Sequence, residues 1–354
     1  MTALTTIEQA SPEWLTEVLR RQGCLPSGWV RALSVLRVHA EQVYSISYFL
    51  TAAYSSGAPV TAPTQLFLKL SRPEIDPAMV AWQGEREVRM YQAVARDQHA
   101  LPVIPCYDAV YDTDRPAYHL LLADLSTTHD QPSSWTISDY YITQTVDCLA
   151  RLHAYWWEHS RLNNGMGELA TMEWLAAEID RLQKACIPFA RLAGDRLSVD
   201  DRRIYESVLA ALPALWERRT GLAGQTIVHG DAHFWNFLYP LDPQTHHTCI
   251  LDWQTYHISP GTKDLAYTIV LRYPQRTVAN ERTLVKRYHE RLLAYGVHDY
   301  GWETCWRDYR LLAAEHVLYP MRWWMSGFPR DFWGMFVRPA LTGFRDLGCA
   351  ELLR

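Results

Sequence analysis

The sequence predicts an α+β protein of two lobes, the first a small antiparallel β-sheet with one helix, the second larger and mainly helical. Three observations predict it. At 354 residues the chain is too long for a single core, since cores rarely grow past ~250 residues before splitting. From about residue 31 to 123, short β-branched and aromatic runs alternate with Gly, Pro, Asp and Ser breaks. After Leu125 apolar residues recur at helical spacing. The change of texture sets the expected lobes at 1–123 and 124–354, joined by a short hinge near Asp124, with no repeat period or low-complexity linker.

Each element has a local reason. Ser11, Pro12 and Glu13 before WLTEVL form a helix start: hydroxyl cap, proline in the first turn, acid at the positive end of the dipole. ALSVLRV, VYSISYFLTA, TQLFLKLS, PCYDAVYD and AYHLLLADL then read as five strands. MVAWQGEREVRMYQAVARD, with Val80, Val88, Tyr91 and Val94 at helical spacing, inserts one helix between the third and fourth. SDYYITQTVDCLARLHAYWW, ATMEWLAAEIDRLQKAC and DRRIYESVLAALPALWER follow as helices. QTIVHGD, NFLYP and TCILDWQT interrupt them as strands. From about residue 263, DLAYTIVLRY, ERTLVKRYHERLLAYG, GWETCWRDYRLLAAEHVLYPMRWW and the last segment return to helix.

A net charge of −5 and a pI near 6.3 describe a mildly acidic protein, which asks for neither nucleic acid nor an anionic membrane as a partner. Seven cysteines, an odd number without a CxxC pair, read as reduced core thiols, and so as a cytoplasmic protein. The N-terminus has no basic start followed by an apolar core, and no run of about 18 apolar residues occurs. Neither export nor membrane spanning is expected. Function therefore has to sit in a site.

The stretch IVHGDAHFWNFLYP (227–240) concentrates polar chemistry between apolar runs. Asp231 and Asn236 lie five residues apart on a loop leaving a strand, and Asp252 follows sixteen residues later at the end of TCILDW. That arrangement suits phosphoryl transfer. Asp231 can accept a proton from a hydroxyl while Asn236 and Asp252, on adjacent strands, hold Mg²⁺ on nucleotide phosphates. Gly230 lets the backbone turn between His229 and Asp231. Lysine is scarce, occurring only at 69, 184, 263 and 286. Lys69 sits in the apolar strand TQLFLKLS, where an ammonium is costly unless it emerges among anions.

HGDAHFWN followed by ILDW resembles the aminoglycoside phosphotransferase and choline kinase superfamily, small-molecule relatives of protein kinases, above all its ecdysteroid-kinase-like and uncharacterised bacterial branches. The likeness in element order covers most of the chain. It implies a protein-kinase-like fold, with residues 1–123 as the nucleotide-binding lobe and 124–354 as the catalytic and acceptor-binding lobe. It further implies ATP and Mg²⁺ as cofactors and a small-molecule alcohol as acceptor. Asp231 matches the family's catalytic base, Asn236 and Asp252 its metal ligands, His229 a support beneath the loop and His233 a loop-shaping position. Lys69 matches the phosphate-anchoring lysine of the third strand. Its acid partner is Glu87, by the spacing to Tyr91 in EVRMY, with Glu85 as the alternative. The backbone at Leu122 and Ala123 of HLLLADLS matches the purine-binding hinge.

One departure concerns the phosphate loop. No glycine occurs between Leu33 and Tyr54, so HAEQVYSIS has to cover phosphates through backbone N–H groups and Ser45. Plainer roles fall to other residues. His153 reads as a packing histidine and Asp264 as a brace of the catalytic loop. Trp302, Trp306, Trp323, Trp324, Trp333, Tyr319 and Phe328 read as helix packing rather than a cage for a cation. Beyond residue 255 basic residues outnumber acidic ones, which disfavours a polycationic acceptor. The rival readings are a degenerate kinase that binds nucleotide without turnover, motivated by the missing glycines, and a metal-dependent phosphoesterase, motivated by HGDAH.

Overall fold

Alternation of apolar residues builds the first sheet. In the computed structural model, which describes residues 2–39, 44–95, 97, 101–217, 221 and 223–353, the chain divides into two units. One comprises Met1–Asp130 and Leu238–Thr255, the other Gln131–Phe237 and Tyr256–Arg354.

In the first unit β1 (Val30–His39), β2 (Ser45–Tyr54), β3 (Gln65–Ser71), β4 (Cys106–Asp112) and β5 (Ala117–Ala123) form an antiparallel sheet in the order β1-β2-β3-β5-β4. The helix α1 (Pro12–Arg21) is capped by Ser11, whose hydroxyl accepts the Trp14 N–H at 3.2 Å. Leu66, Leu68 and Leu70 point to one face, where they pack with Leu50, Leu121 and, from α1, Leu15, Val18 and Leu19. Phe67, Lys69 and Ser71 point to the other. On that face Ser47 stands opposite Lys69 and Ser45 opposite Ser71. The helix α2 (Pro77–Val94) begins at Asp76, whose carboxylate accepts the Ala78 N–H at 2.8 Å, and packs on β4 and β5. A smaller sheet joins His129–Asp130, Phe237–Pro240 and Cys249–Ile250 in the order first, second, third.

In the second unit α3 (Asp139–Tyr155), α4 (Met172–Ala193) and α5 (Val199–Glu217) lead to a two-stranded antiparallel ribbon of Thr226–Val228 with His257–Ser259. Then come α6 (Thr262–Ala266), a π-helical turn at Tyr267–Leu271, α7 (Val278–Ala294), α8 (Trp302–His316), α9 (Tyr319–Met325) and α10 (Arg330–Asp346). Arg287 of α7 ties to α3 by a two-pronged ion pair, both oxygens of Asp147 lying at 2.6 Å.

The α+β class and the five-stranded antiparallel sheet agree with the sequence reading. Three segments differ in detail. TCILDWQT is a strand only at Cys249–Ile250, because Asp252 turns to φ 66° and Trp253–Thr255 forms a 3₁₀ turn. DLAYTIVLRY begins as α-helix and widens at Tyr267. The helix expected across GWETCW to RWW breaks into α8 and α9, with Pro320 in the first turn of the second. All seven cysteines are free thiols, and no described helix is long and apolar enough to cross a membrane.

Candidate active site

Lys69 is 6% exposed on β3, yet its ammonium has two anionic partners: Glu87 Oε2 at 2.7 Å and Asp252 Oδ1 at 3.3 Å. Burial alone would favour the neutral amine, but Glu87, Tyr118 and Asp252 overrule it and hold the Lys69 pKa well above the ordinary lysine range. Glu87 reaches the lysine because α2 lies against Tyr118. A Cβ on Gly84 would sit 2.2 Å from that ring, so only glycine allows the approach. Glu85 turns to solvent and pairs with Arg89 at 2.7 Å, which settles the choice between the two acids. Asp252 keeps 40% of its side chain exposed, with one oxygen on Lys69.

Ser45 is 2% exposed at the start of β2. Of the expected phosphate loop, residues 40–43 lie outside the described residues. Leu122 and Ala123 end β5, and the Ala123 N–H is donated to the Pro105 carbonyl at 2.9 Å.

In the second unit the loop after Thr226–Val228 is held from below. Gly230 takes φ 85°, and Asp264 at the start of α6 accepts two successive backbone N–H groups, His229 at 2.6 Å and Gly230 at 2.9 Å. His153 Nε2 lies 3.3 Å from the same carboxylate, and its Nδ1 lies 2.8 Å from the Tyr288 hydroxyl. Burial would raise the Asp264 carboxyl, but His153, His229 and the Gly230 N–H hold it below the usual carboxylate range. His153 is thus more than packing, since it steadies the brace on which the loop hangs.

Asp231 projects from this loop with 37% of its side chain exposed. Its Oδ1 accepts the Tyr267 hydroxyl at 2.5 Å, and its Oδ2 lies 3.5 Å from His233 Nε2. Asn236 closes the loop: its Nδ2 donates to the Asp231 carbonyl at 2.8 Å and lies 3.4 Å from Oδ2. Burial pushes the Asp231 carboxyl up, while His233, Tyr267 and Arg272 pull harder and keep it below its ordinary value. The structure therefore brings Lys69, Glu87 and Asp252 together, and separately Asp231 and Asn236.

Each unit offers oxygen donors of the kind a hard divalent cation takes: Asn236, which gives its amide N–H to the Asp231 carbonyl, retains its amide oxygen in one, and Asp252 keeps a carboxylate oxygen beyond the one on Lys69 in the other. Mg²⁺ takes oxygen ligands and is usually held by one or two protein groups plus phosphates.

A sequence profile described as the phosphotransferase enzyme family matches residues 59–312, from just before β3 into α8, which is most of the chain. The chain belongs to this phosphotransferase family. A protein from Ralstonia eutropha JMP134, assigned as an aminoglycoside phosphotransferase, superposes on this phosphotransferase with a TM-score of 0.55 at 16% identity. That match covers 96% of this chain and 98% of the other. A choline kinase from Cryptosporidium parvum Iowa II superposes with a TM-score of 0.51 at 9% identity, covering 96% and 95%. At such identities the likeness is one of fold. No curated protein sequence matches it.

Sequence reasoning missed two residues beside Asp231, Tyr267 and Arg272. Arg272 Nη2 donates to the Tyr267 hydroxyl at 2.6 Å. On an ordinary α-helix residues five apart face different ways, whereas the π turn brings them over one another. The only hint in the sequence is the tyrosine three residues after Asp264.

Proposed function

We propose that this phosphotransferase moves the γ-phosphoryl group of ATP to a hydroxyl of a small molecule. The observation that carries the proposal is the buried Lys69 ammonium facing two carboxylates, of which Glu87 is fixed and Asp252 is half-open. An anchor for triphosphate needs that: a cation held ready by an inner acid, beside an outer acid that can turn to a metal. Bound Mg²⁺ would supply neutralisation of charge on the phosphate oxygens, with Asn236 and Asp252 as its protein ligands.

The remaining roles follow from the chain's own groups. Lys69 holds the phosphates by direct charge. Leu122 and Ala123 lie along the purine edge, where recognition falls to backbone groups other than the Ala123 N–H, since that one is already donated. Asp231 orients the acceptor hydroxyl in line with the γ-phosphorus and takes its proton as the new O–P bond forms and ADP departs. Ser45 is buried in the sheet, so we give it a supporting place beside Lys69 rather than a direct contact with phosphate. Positioning and charge carry most of the rate.

The test is a screen of hydroxylated metabolites and antibiotics for acceptor-dependent ADP release, with the product identified by its mass gain of one phosphoryl group. An active parent and an inactive Asp231→Asn variant that still binds ATP support the proposal. A parent that binds ATP without any turnover overturns it in favour of a nucleotide-binding scaffold. Phosphoester hydrolysis without nucleotide points instead to a hydrolase.

A further inference from the structure

We propose that Tyr267 is a positioning residue for Asp231, and that Arg272 sets the direction of its hydroxyl proton. The inference rests on the reading of Asp231 as the base. A guanidinium has N–H groups and no acceptor, so at 2.6 Å from Arg272 Nη2 the Tyr267 oxygen is the acceptor. The one phenolic proton is then left to point elsewhere, and Asp231 Oδ1 stands 2.5 Å away to receive it. Were Arg272 absent, the hydroxyl would be free to rotate.

Arg272 itself makes little sense as mere packing. It is 7% exposed, has no carboxylate partner among the described residues and is walled by rings, with the Phe336 centroid at 4.3 Å and the Trp323 centroid at 5.4 Å. Its Nε has no hydrogen-bond partner among the described residues. A methionine would fill the same space without a buried charge. What the arginine adds is the charge-assisted hydrogen bond to Tyr267.

The backbone is shaped for that contact. Tyr267–Leu271 is a π turn, and such turns are rare and concentrate at functional sites. Here it lets side chains five apart meet. With Oδ1 tied down, Oδ2 becomes the oxygen that faces the acceptor, since its own neighbours, His233 at 3.5 Å and Asn236 at 3.4 Å, are loose. Tyr267 thus chooses which oxygen works and fixes the carboxylate plane. A base misaligned by a rotated carboxylate loses rate without losing substrate.

The test uses Tyr267→Phe, Arg272→Met and the double variant, with Mg²⁺-ATP hydrolysis in the absence of acceptor as the probe. Tyr267→Phe is expected to lower kcat roughly 10- to 100-fold while ATP affinity by calorimetry stays close to the parent's; the buried Arg272 N–H loses its acceptor, so the melting temperature falls somewhat and kcat is read well below it. Arg272→Met is expected to lower kcat less, and to add nothing in the Tyr267→Phe background, because it acts through the hydroxyl. Arg272→Lys, which still donates, restores part of the loss. A kcat for Tyr267→Phe within twofold of the parent, or additive effects of the two substitutions, overturns the proposal. A second arm works without turnover: the side-chain carboxyl ¹³C resonance of Asp231, identified by its disappearance in Asp231→Asn, should shift in Tyr267→Phe and in Arg272→Met. A parent that binds ATP without turnover, yet shows those shifts, supports the tether while sinking the kinase reading. An unmoved resonance overturns the tether whether or not the enzyme turns over.

Discussion

The Lys69 ammonium lies 2.7 Å from a Glu87 carboxylate oxygen, with 8% and 3% of the two side chains exposed. Breaking such a pair on the Glu87 side leaves the buried ammonium with only Asp252, at 3.3 Å and 40% exposed. Glu87→Gln should therefore lower the unfolding free energy by about 3 kcal/mol and weaken ATP binding, read by denaturant titration and calorimetry. Replacing both partners, Lys69→Met with Glu87→Leu, should recover most of the stability and none of the nucleotide affinity. A double variant that binds ATP normally would remove Lys69 from its assigned role.

Gly84 controls the same pair at a distance. A methyl group there meets Tyr118 at 2.2 Å, and the obstacle is a ring packed between helix and sheet rather than a flexible tip. Gly84→Ala should push α2 away from β5 at a cost of roughly 1–3 kcal/mol, lengthening the Lys69–Glu87 contact. A crystal structure of the variant gives the distance, and Gly84→Ala with Tyr118→Leu should restore it.

Asp264 joins two backbone N–H groups to His153 and leaves no room for a donor. In Asp264→Asn one oxygen becomes an NH₂ that faces an N–H or the histidine ring. A buried donor is left unpaired, which costs about 1–3 kcal/mol, and the loop bearing Asp231 shifts. We expect kcat to fall by more than stability alone explains, measured well below the melting temperature. An Asp264→Asn enzyme with parental kcat would confine Asp264 to folding.

His316 gives the protein an acid sensitivity of its own. Burial pushes its pKa down to about 4 from 6.5, so the folded state holds it neutral while the unfolded chain protonates it below 6.5. The unfolded state then binds the extra proton, and stability falls as pH drops from 6.5 toward 4. The full loss amounts to about 3 kcal/mol. His316→Leu should flatten the dependence over that window; an unchanged slope of unfolding free energy against pH would show that another group titrates there.

Much of the fold was legible because its periodicities are local. The strands β1 to β5 and the helix α2 follow from alternation and from helical spacing between Val80 and Val94, and the sheet pairs as short antiparallel runs must. Lys69 announced itself by its cost in an apolar strand. Other features were hidden because they depend on contacts between distant segments. The EVRMY pattern favours Glu87 over Glu85 as the partner of Lys69, but the packing of Gly84 on Tyr118 that brings it inward could not be read from that pattern. The service of His153 to Asp264 spans 111 residues, and the π turn at Tyr267 has no residue pattern of its own.

The backbone of Asp252, at φ 66°, admits few residue types without strain: glycine, asparagine and aspartate, but no β-branched side chain. A lineage that lost its activity would accordingly meet a narrow exit, keeping its shape by passing from aspartate to asparagine or glycine. A homologue with asparagine at this position and an intact Lys69 partnership would be expected to stay folded while its chemistry fell silent.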